Sequence, residues 1–254
     1  MKLTFLGTGT SQGVPVITCP CAVCHSDDTR DRRLRTSALI TTDGGANILI
    51  DIGPDFRQQM LVNGVRHLDA ILITHAHRDH VAGIDDIRPF NYTQQHAMEM
   101  FMNAEAAFAL RRDYHYIFEA HQYPGLPEAN LHVVDTPFMV AGEEVIPIRA
   151  MHKDLPVLGF RIGPLAYITD ANHINKEELE KMDGVSVLVI NALRQEKHFS
   201  HFCLPEALAI IGQVRPGRAF LTHMSHEMGL HEQIQPSLPD GVTLAYDGLS
   251  VNVE

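Results

Sequence analysis

The stretch Thr74-His75-Ala76-His77-Arg78-Asp79-His80 constrains this chain more than any other. The apolar residues 70–73 before it predict a short buried strand. Side chains alternate along a strand, so His75 and His77 point the same way, and Asp79 and His80 follow where the backbone turns. Imidazoles and a carboxylate packed together would leave polar groups unpaired unless a cation lay between them. The stretch therefore predicts a metal site for zinc, manganese or iron.

Three more polar residues each follow an apolar strand predicted from the sequence. His152 comes after the predicted strand 144–150, Asp170 ends the run 165–170, and His223 follows 219–222. This is the same placement as that of His75. We therefore expect strand ends from both halves of the chain to meet at one site.

The strand pattern recurs in two halves, and no low-complexity linker divides the 254 residues. This favours one α/β domain over residues 1–254 with two mixed sheets packed face to face and helices outside, an αββα sandwich. Residues from about 84 to 125 are rich in helix formers and aromatic side chains. They predict a helical insertion that walls the site or contacts a second subunit.

Three of the four cysteines lie within six residues, as Cys19, Cys21 and Cys24. Clustered thiols in a reducing compartment indicate a metal site more than a disulfide framework. A tetrahedral zinc ion needs a fourth ligand, for which the adjacent His25 and the distant His226 are the candidates.

Lys and Arg total 20 and Asp and Glu total 31, so the net charge is −11 with histidine neutral. This charge argues against nucleic acid and anionic membranes as partners. The N-terminus reaches Gly7 before a secretory apolar segment could form, and the apolar run 185–193 is too short to span a bilayer. We expect a soluble, cytoplasmic protein.

Four arginines lie close together at residues 30, 32, 33 and 35 of this acidic chain. They predict a solvated basic face, with contact to a phosphate group or a second subunit as the alternative.

The spacing His-x-His-x-Asp-His resembles the signature of the metallo-β-lactamase superfamily of binuclear hydrolases. Over nearly its full length the chain is similar to the cyclic-phosphodiesterase branch, typified by the phosphonate-pathway enzyme that opens phosphoribosyl cyclic phosphate. The similarity includes Gly-Thr-Gly-Thr-Ser-Gln-Gly-Val-Pro at residues 7–15, the cysteine cluster, His201 and Thr-His-Met-Ser-His at residues 222–226.

The resemblance implies two divalent catalytic metals, Zn or Mn, with a bridging hydroxide as the nucleophile. The implied ligands are His75, His77 and His152 for the first metal; Asp79, His80 and His223 for the second; and Asp170 for both. It also implies that Asp51 supports the metal loop by hydrogen bonds and that a structural zinc is bound by Cys19, Cys21, Cys24 and His226. Asp79 is assigned to catalysis as well, and a homodimer is expected.

The expected reaction is hydrolysis of a small phosphodiester. Its leaving alkoxide needs a proton, for which His201 is the candidate, unless it is only a surface histidine. A tRNA 3′-processing endonuclease and a redox or cofactor-biosynthesis protein like the pyrroloquinoline quinone B protein are the alternatives. A thioesterase or lactamase would leave the cysteine cluster and His201 unexplained, and the full ligand set argues against a non-enzymatic binding module.

Overall fold

The computed structural model describes residues 1–119 and 125–254, which form the predicted αββα sandwich. The strands are β1 (Lys2–Gly7), β2 (Ser37–Thr41), β3 (Asn47–Ile50), β4 (Ala70–Leu72), β5 (Met98–Met102), β6 (Ala129–Val133), β7 (Phe138–Val140), β8 (Glu143–His152), β9 (Leu155–Ile162), β10 (Leu165–Tyr167), β11 (Val187–Asn191), β12 (Arg218–Thr222), β13 (Val242–Leu244) and β14 (Ser250–Asn252).

These strands form two mixed sheets of seven, with the orders β14-β1-β2-β3-β4-β5-β6 and β13-β12-β11-β10-β9-β8-β7. Within the first sheet β3 to β6 run parallel, and within the second β10 to β13 run parallel. Parallel strands end at the same edge of a sheet, so each sheet presents several strand ends side by side.

Eight helices lie in the described residues, with α1 (Phe56–Val62), α2 (Arg78–Val81), α3 (Arg88–Gln94), α4 (Ala104–Asp113), α5 (His115–Phe118), α6 (Lys176–Glu180), α7 (Leu204–Val214) and α8 (His231–Ile234). The longest, α7, has 11 residues. No helix in these ranges is long and apolar enough to cross a membrane.

Apolar side chains form three layers. The inner layer joins both sheets, for example through Phe5 and Ile50 of the first sheet and Phe160 and Tyr167 of the second. The outer face of the first sheet packs against helices α1 to α5, and that of the second packs against α6 and α7. Alternation along the strands produces this arrangement, because successive side chains point to opposite faces.

The segment predicted as a helical insertion holds α3, α4 and α5 but also β5, which pairs in parallel with β4 and β6. The predicted helical insertion therefore also holds a strand, Met98–Met102, that the sequence did not indicate. Methionine is a good helix former, but here Met98, Met100 and Met102 alternate with half-buried residues and pack on the outer face. The end of the insertion, residues 120–124, lies outside the described ranges.

The predicted solvated basic face at residues 30–35 is wrong at Arg33, whereas Arg32 is exposed. Arg33 is fully buried, Arg30 donates to Asp28, and an Arg35 guanidinium nitrogen lies 2.7 Å from Asp55 Oδ1. Arg30 and Arg35 pair with nearby carboxylates and Arg33 lies inside the fold, so the four arginines do not form one continuous basic face.

Gly53 offers a direct test of how tightly the loops at the strand ends pack. A Cβ atom at this position would lie 2.1 Å from the carbonyl oxygen of Asp79. We expect Gly53→Ala to lower the free energy of unfolding by about 1–3 kcal/mol, measured by urea denaturation. Gly44→Ala is the matched control, because its nearest neighbour atom would be 3.6 Å away in the β2–β3 hairpin. Equal stability of the two variants would contradict this packing.

Candidate metal centre

The side chains expected to bind two metals lie together at the edge shared by the two sheets. His75, His77 and His152 form one group, and Asp79, His80, Asp170 and His223 form a second. Within each group the potential ligand atoms lie within 4.8 Å of one another. Geometry thus groups the residues as the resemblance implies, and their role as ligands stays a prediction.

The fold delivers these groups from both sheets. His75 follows β4, and Asp79 and His80 lie in the first turn of α2. From the second sheet, His152 ends β8, Asp170 comes three residues after β10, and His223 follows β12 directly.

Three polar residues at these strand ends have backbone angles that L residues rarely adopt. The φ angles of Asp51, Asp170 and His223 are 60°, 53° and 56°. Such left-handed conformations are uncommon outside glycine and cluster at functional sites. The sharp turns aim the side chains across the sheet edge.

Asp51 supports the loop after β4 that carries the histidine motif, residues 74–80. Its carboxylate accepts hydrogen bonds from the Thr74 backbone N–H and hydroxyl, both at 2.8 Å, and from His80 Nδ1 at 2.6 Å. Asp51 is fully buried. The contacts match the supporting role that the resemblance implies for this residue.

Hydrogen bonds at Nδ1 set the tautomers of three histidines. His80 Nδ1 donates to Asp51, His152 Nδ1 donates to the Ser200 carbonyl at 2.8 Å, and His75 Nδ1 donates to the Thr74 hydroxyl at 3.0 Å. A neutral imidazole protonated at Nδ1 carries its lone pair on Nε2. His75 Nε2 is buried and has no hydrogen-bond partner, whereas His80 Nε2 lies 3.1 Å from Asp170 Oδ2 and 3.2 Å from Asp79 Oδ2. A buried lone pair without a donor, and two carboxylate oxygens gathered at a second imidazole nitrogen, both fit a metal ion.

The charges of the cluster also favour a cation. Burial lowers the pKa of His75 well below its usual value, and neighbouring His80 adds to this. Burial would lower the pKa of His80 as well, but the carboxylates of Asp170, Asp51 and Asp79 outweigh it and raise that pKa well above its usual value. Three carboxylates concentrated around one imidazole make an electronegative site suited to divalent ions.

His201 lies against this cluster and is partly exposed. Its Nε2 is 3.1 Å from Asp170 Oδ1, and its ring stacks on that of His223 at 5.2 Å. The carbonyl of the preceding Ser200 accepts a hydrogen bond from His152 Nδ1. The structure thus brings His201 to the site and leaves it within reach of a bound molecule.

Sequence reasoning did not single out three threonines at the site. Thr74 links Asp51 to His75, while Thr10 and Thr36 each have a hydroxyl 3.1 Å from a ring nitrogen of His223. The position of Thr74 next to the His-x-His motif was the available signal. Thr10 and Thr36 are brought to His223 by long-range folding, so no local pattern could have indicated them.

The cysteine cluster forms a separate group of potential ligands. Cys19 and Cys21 lie with Sγ 3.4 and 3.3 Å from His226 Nδ1, and Cys24 completes the group. His25 is exposed, and its Nδ1 lies 3.2 Å from the carbonyl of Cys21. Of the two candidates for the fourth zinc ligand, the geometry favours His226.

Comparison with known proteins agrees with this architecture. A model of the β-lactamase superfamily domain matches residues 46–224. The chain belongs to the metallo-β-lactamase superfamily. A crystal structure of a diphosphatase from the PhnP family is 36% identical, with a TM-score of 0.92 over 98% of this chain and 96% of that one. The chain is thus a member of the PhnP branch of the superfamily, as the sequence resemblance predicted.

Two further proteins are similar. An octanoyltransferase from Porphyromonas gingivalis (strain ATCC BAA-308 / W83) is 43% identical over all of this chain, which spans only 52% of that protein. Zn²⁺-bound PqqB from Methylobacterium extorquens is 18% identical, with a TM-score of 0.78 over 99% of this chain and all of that one, and shares the fold.

We expect Cys21→Ser to remove one zinc ion per chain and to lower the melting temperature by about 5 °C or more, because metal binding at a structural site contributes to folding. Zinc content by mass spectrometry and thermal denaturation measure this. Cys203→Ser is the control, since Cys203 lies outside the cluster at the start of α7, where serine is a good N-cap. A Cys21→Ser variant that melts normally but has lost turnover would contradict the structural role.

Proposed function

We propose that this chain is a binuclear metal-dependent phosphodiesterase that hydrolyses a small phosphodiester, with cyclic ribose phosphates as a leading candidate class. The observation that carries the proposal is the meeting of seven potential ligand side chains and His201 at one sheet edge. The similarity to a PhnP-family diphosphatase supports phosphorus–oxygen bond cleavage as the reaction class.

The two His/Asp groups would hold two divalent metals, zinc or manganese, which supply Lewis acidity and a water nucleophile at neutral pH. Asp51 keeps Thr74 and His80 in place, and the hydrogen bonds at Nδ1 keep the histidine Nε2 atoms directed at the site. This rigid arrangement provides charge stabilisation without reorganisation during the reaction.

His201 protonates the leaving alkoxide in this proposal. An alkoxide is a poor leaving group, so a positioned acid accelerates its departure by roughly 10²–10⁴-fold. His201 borders Asp170 and is partly exposed, so its imidazole can meet both the cluster and a bound substrate.

The substrate is a small molecule rather than a nucleic acid in our proposal. A net charge of −11 repels a polyanion, and of the four arginines at residues 30–35 one is buried and two pair with carboxylates. Release of a 3′ trailer from precursor tRNA would reverse this choice.

His201→Ala provides the sharpest test of the phosphodiesterase. We expect kcat for a 2′,3′-cyclic nucleotide to fall roughly 10²–10⁴-fold, and kcat for bis-p-nitrophenyl phosphate to fall far less. The reason is that p-nitrophenolate leaves as a stable anion without needing a proton, whereas the ribose alkoxide does need one.

Metal content of the variant should equal that of the wild type. The control is His67→Ala, which removes an exposed imidazole between α1 and β4 and should leave both rates unchanged. Equal losses on both substrates would contradict the acid role of His201, and no cleavage of either by metal-loaded wild type would contradict the proposed function.

A further inference from the structure

Phe199 is an exposed aromatic side chain beside the metal centre. About 70% of its surface is open to solvent, whereas Ser200 and Phe202, which follow it, are buried. Exposing a Phe ring leaves a large apolar surface in water. Single exposed aromatic rings are common on protein surfaces, but Phe199 is set apart by its contact with His198, whose ring meets that of His201.

The backbone around Phe199 is fixed from both sides. Asn172 Nδ2 donates to the Phe199 carbonyl at 3.2 Å, and His152 Nδ1 donates to the Ser200 carbonyl at 2.8 Å. The second bond comes from a predicted metal ligand. The ring is therefore presented from a segment anchored to the site.

A series of rings connects the metal centre to Phe199. His201 stacks on His223 at a centroid distance of 5.2 Å, His198 lies 5.2 Å from His201, and Phe199 lies 4.4 Å from His198. Phe199 is thus two ring contacts outward from His201.

Lys153 supplies a positive charge at the same place. It directly follows His152, and its Nζ lies 6.0 Å from the centroid of the Phe199 ring. Its one ion-pair partner among the described residues is the exposed Asp154, at 3.6 Å. Exposed pairs of this kind are weak, so the Lys153 ammonium is available to an anionic group.

We propose that Phe199 and Lys153 form a subsite that binds the nucleobase of a nucleotide-like substrate, with Phe199 stacking on the base and Lys153 facing its phosphate. The inference rests on the proposed function and names the substrate class. Phe199 offers an open, flat face, because about 70% of its surface is exposed. A nucleobase fits such a face because its polar edges stay hydrated while one side stacks, whereas an alkyl chain would remain largely in water.

Calorimetric titration of the metal-loaded protein tests this without turnover. The ligands are 5′-AMP, ribose 5-phosphate and n-octyl phosphate. We expect wild type to bind 5′-AMP about tenfold more tightly than ribose 5-phosphate, since stacking of one base on an aromatic ring has roughly this effect. Phe199→Ala should abolish the difference and Phe199→Tyr should keep it.

The control is Tyr92→Ala, which removes an aromatic ring that is 80% exposed on α3, a helix on the outer face of the first sheet. It should bind all three ligands as wild type does. Three results would overturn the subsite. They are a wild type that does not prefer 5′-AMP, a Phe199→Ala variant that keeps the preference, and a gain in affinity over ribose 5-phosphate that is as large for n-octyl phosphate as for 5′-AMP. Absence of hydrolysis with the stacking preference intact would instead overturn the proposed reaction and leave the ring subsite standing.

Discussion

The buried carboxylate of Asp51 is the interaction on which the site depends. It lies at the end of β3 in a left-handed conformation and joins that strand to the loop after β4 through Thr74, and to α2 through His80. A buried charge must be paired or fully hydrogen-bonded, and Asp51 meets this requirement with three donors. The loop that carries the histidine motif is consequently fixed before any ligand arrives.

A pair of metals would join two halves of the molecule. The motif residues belong to the first sheet, whereas His152, Asp170 and His223 come from the second, so binding would tie the sheets together at this edge. A zinc ion at the cysteine cluster would connect the N-terminal loop to the loop after β12, because His226 lies three residues after His223. Between these two sites, Thr10 donates its backbone N–H to Met224 at 3.1 Å and Met224 donates to Thr8 at 2.9 Å. Metal ions bound at these sites would therefore stabilise the folded chain.

Much of this arrangement could be predicted from the sequence because its signals are local. The apolar strands that end in His or Asp indicated both the sandwich and the residues that meet at its edge. Prediction failed where the decisive contacts are distant. Met98–Met102 has the composition of a helix but lies between two parallel strands, and the buried Arg33 pairs through its backbone with the distant Val14. The exposure of Phe199 likewise depends on anchoring by Asn172 and His152, which no local pattern encodes.

Anomalous X-ray diffraction from crystals grown with zinc or manganese tests the central claim most directly. The account predicts two peaks about 3.5–4 Å apart between the His75 and His80 groups, and a third peak at the cysteines and His226. A third peak alone, with no density among His75, Asp79 and Asp170, would contradict the binuclear site.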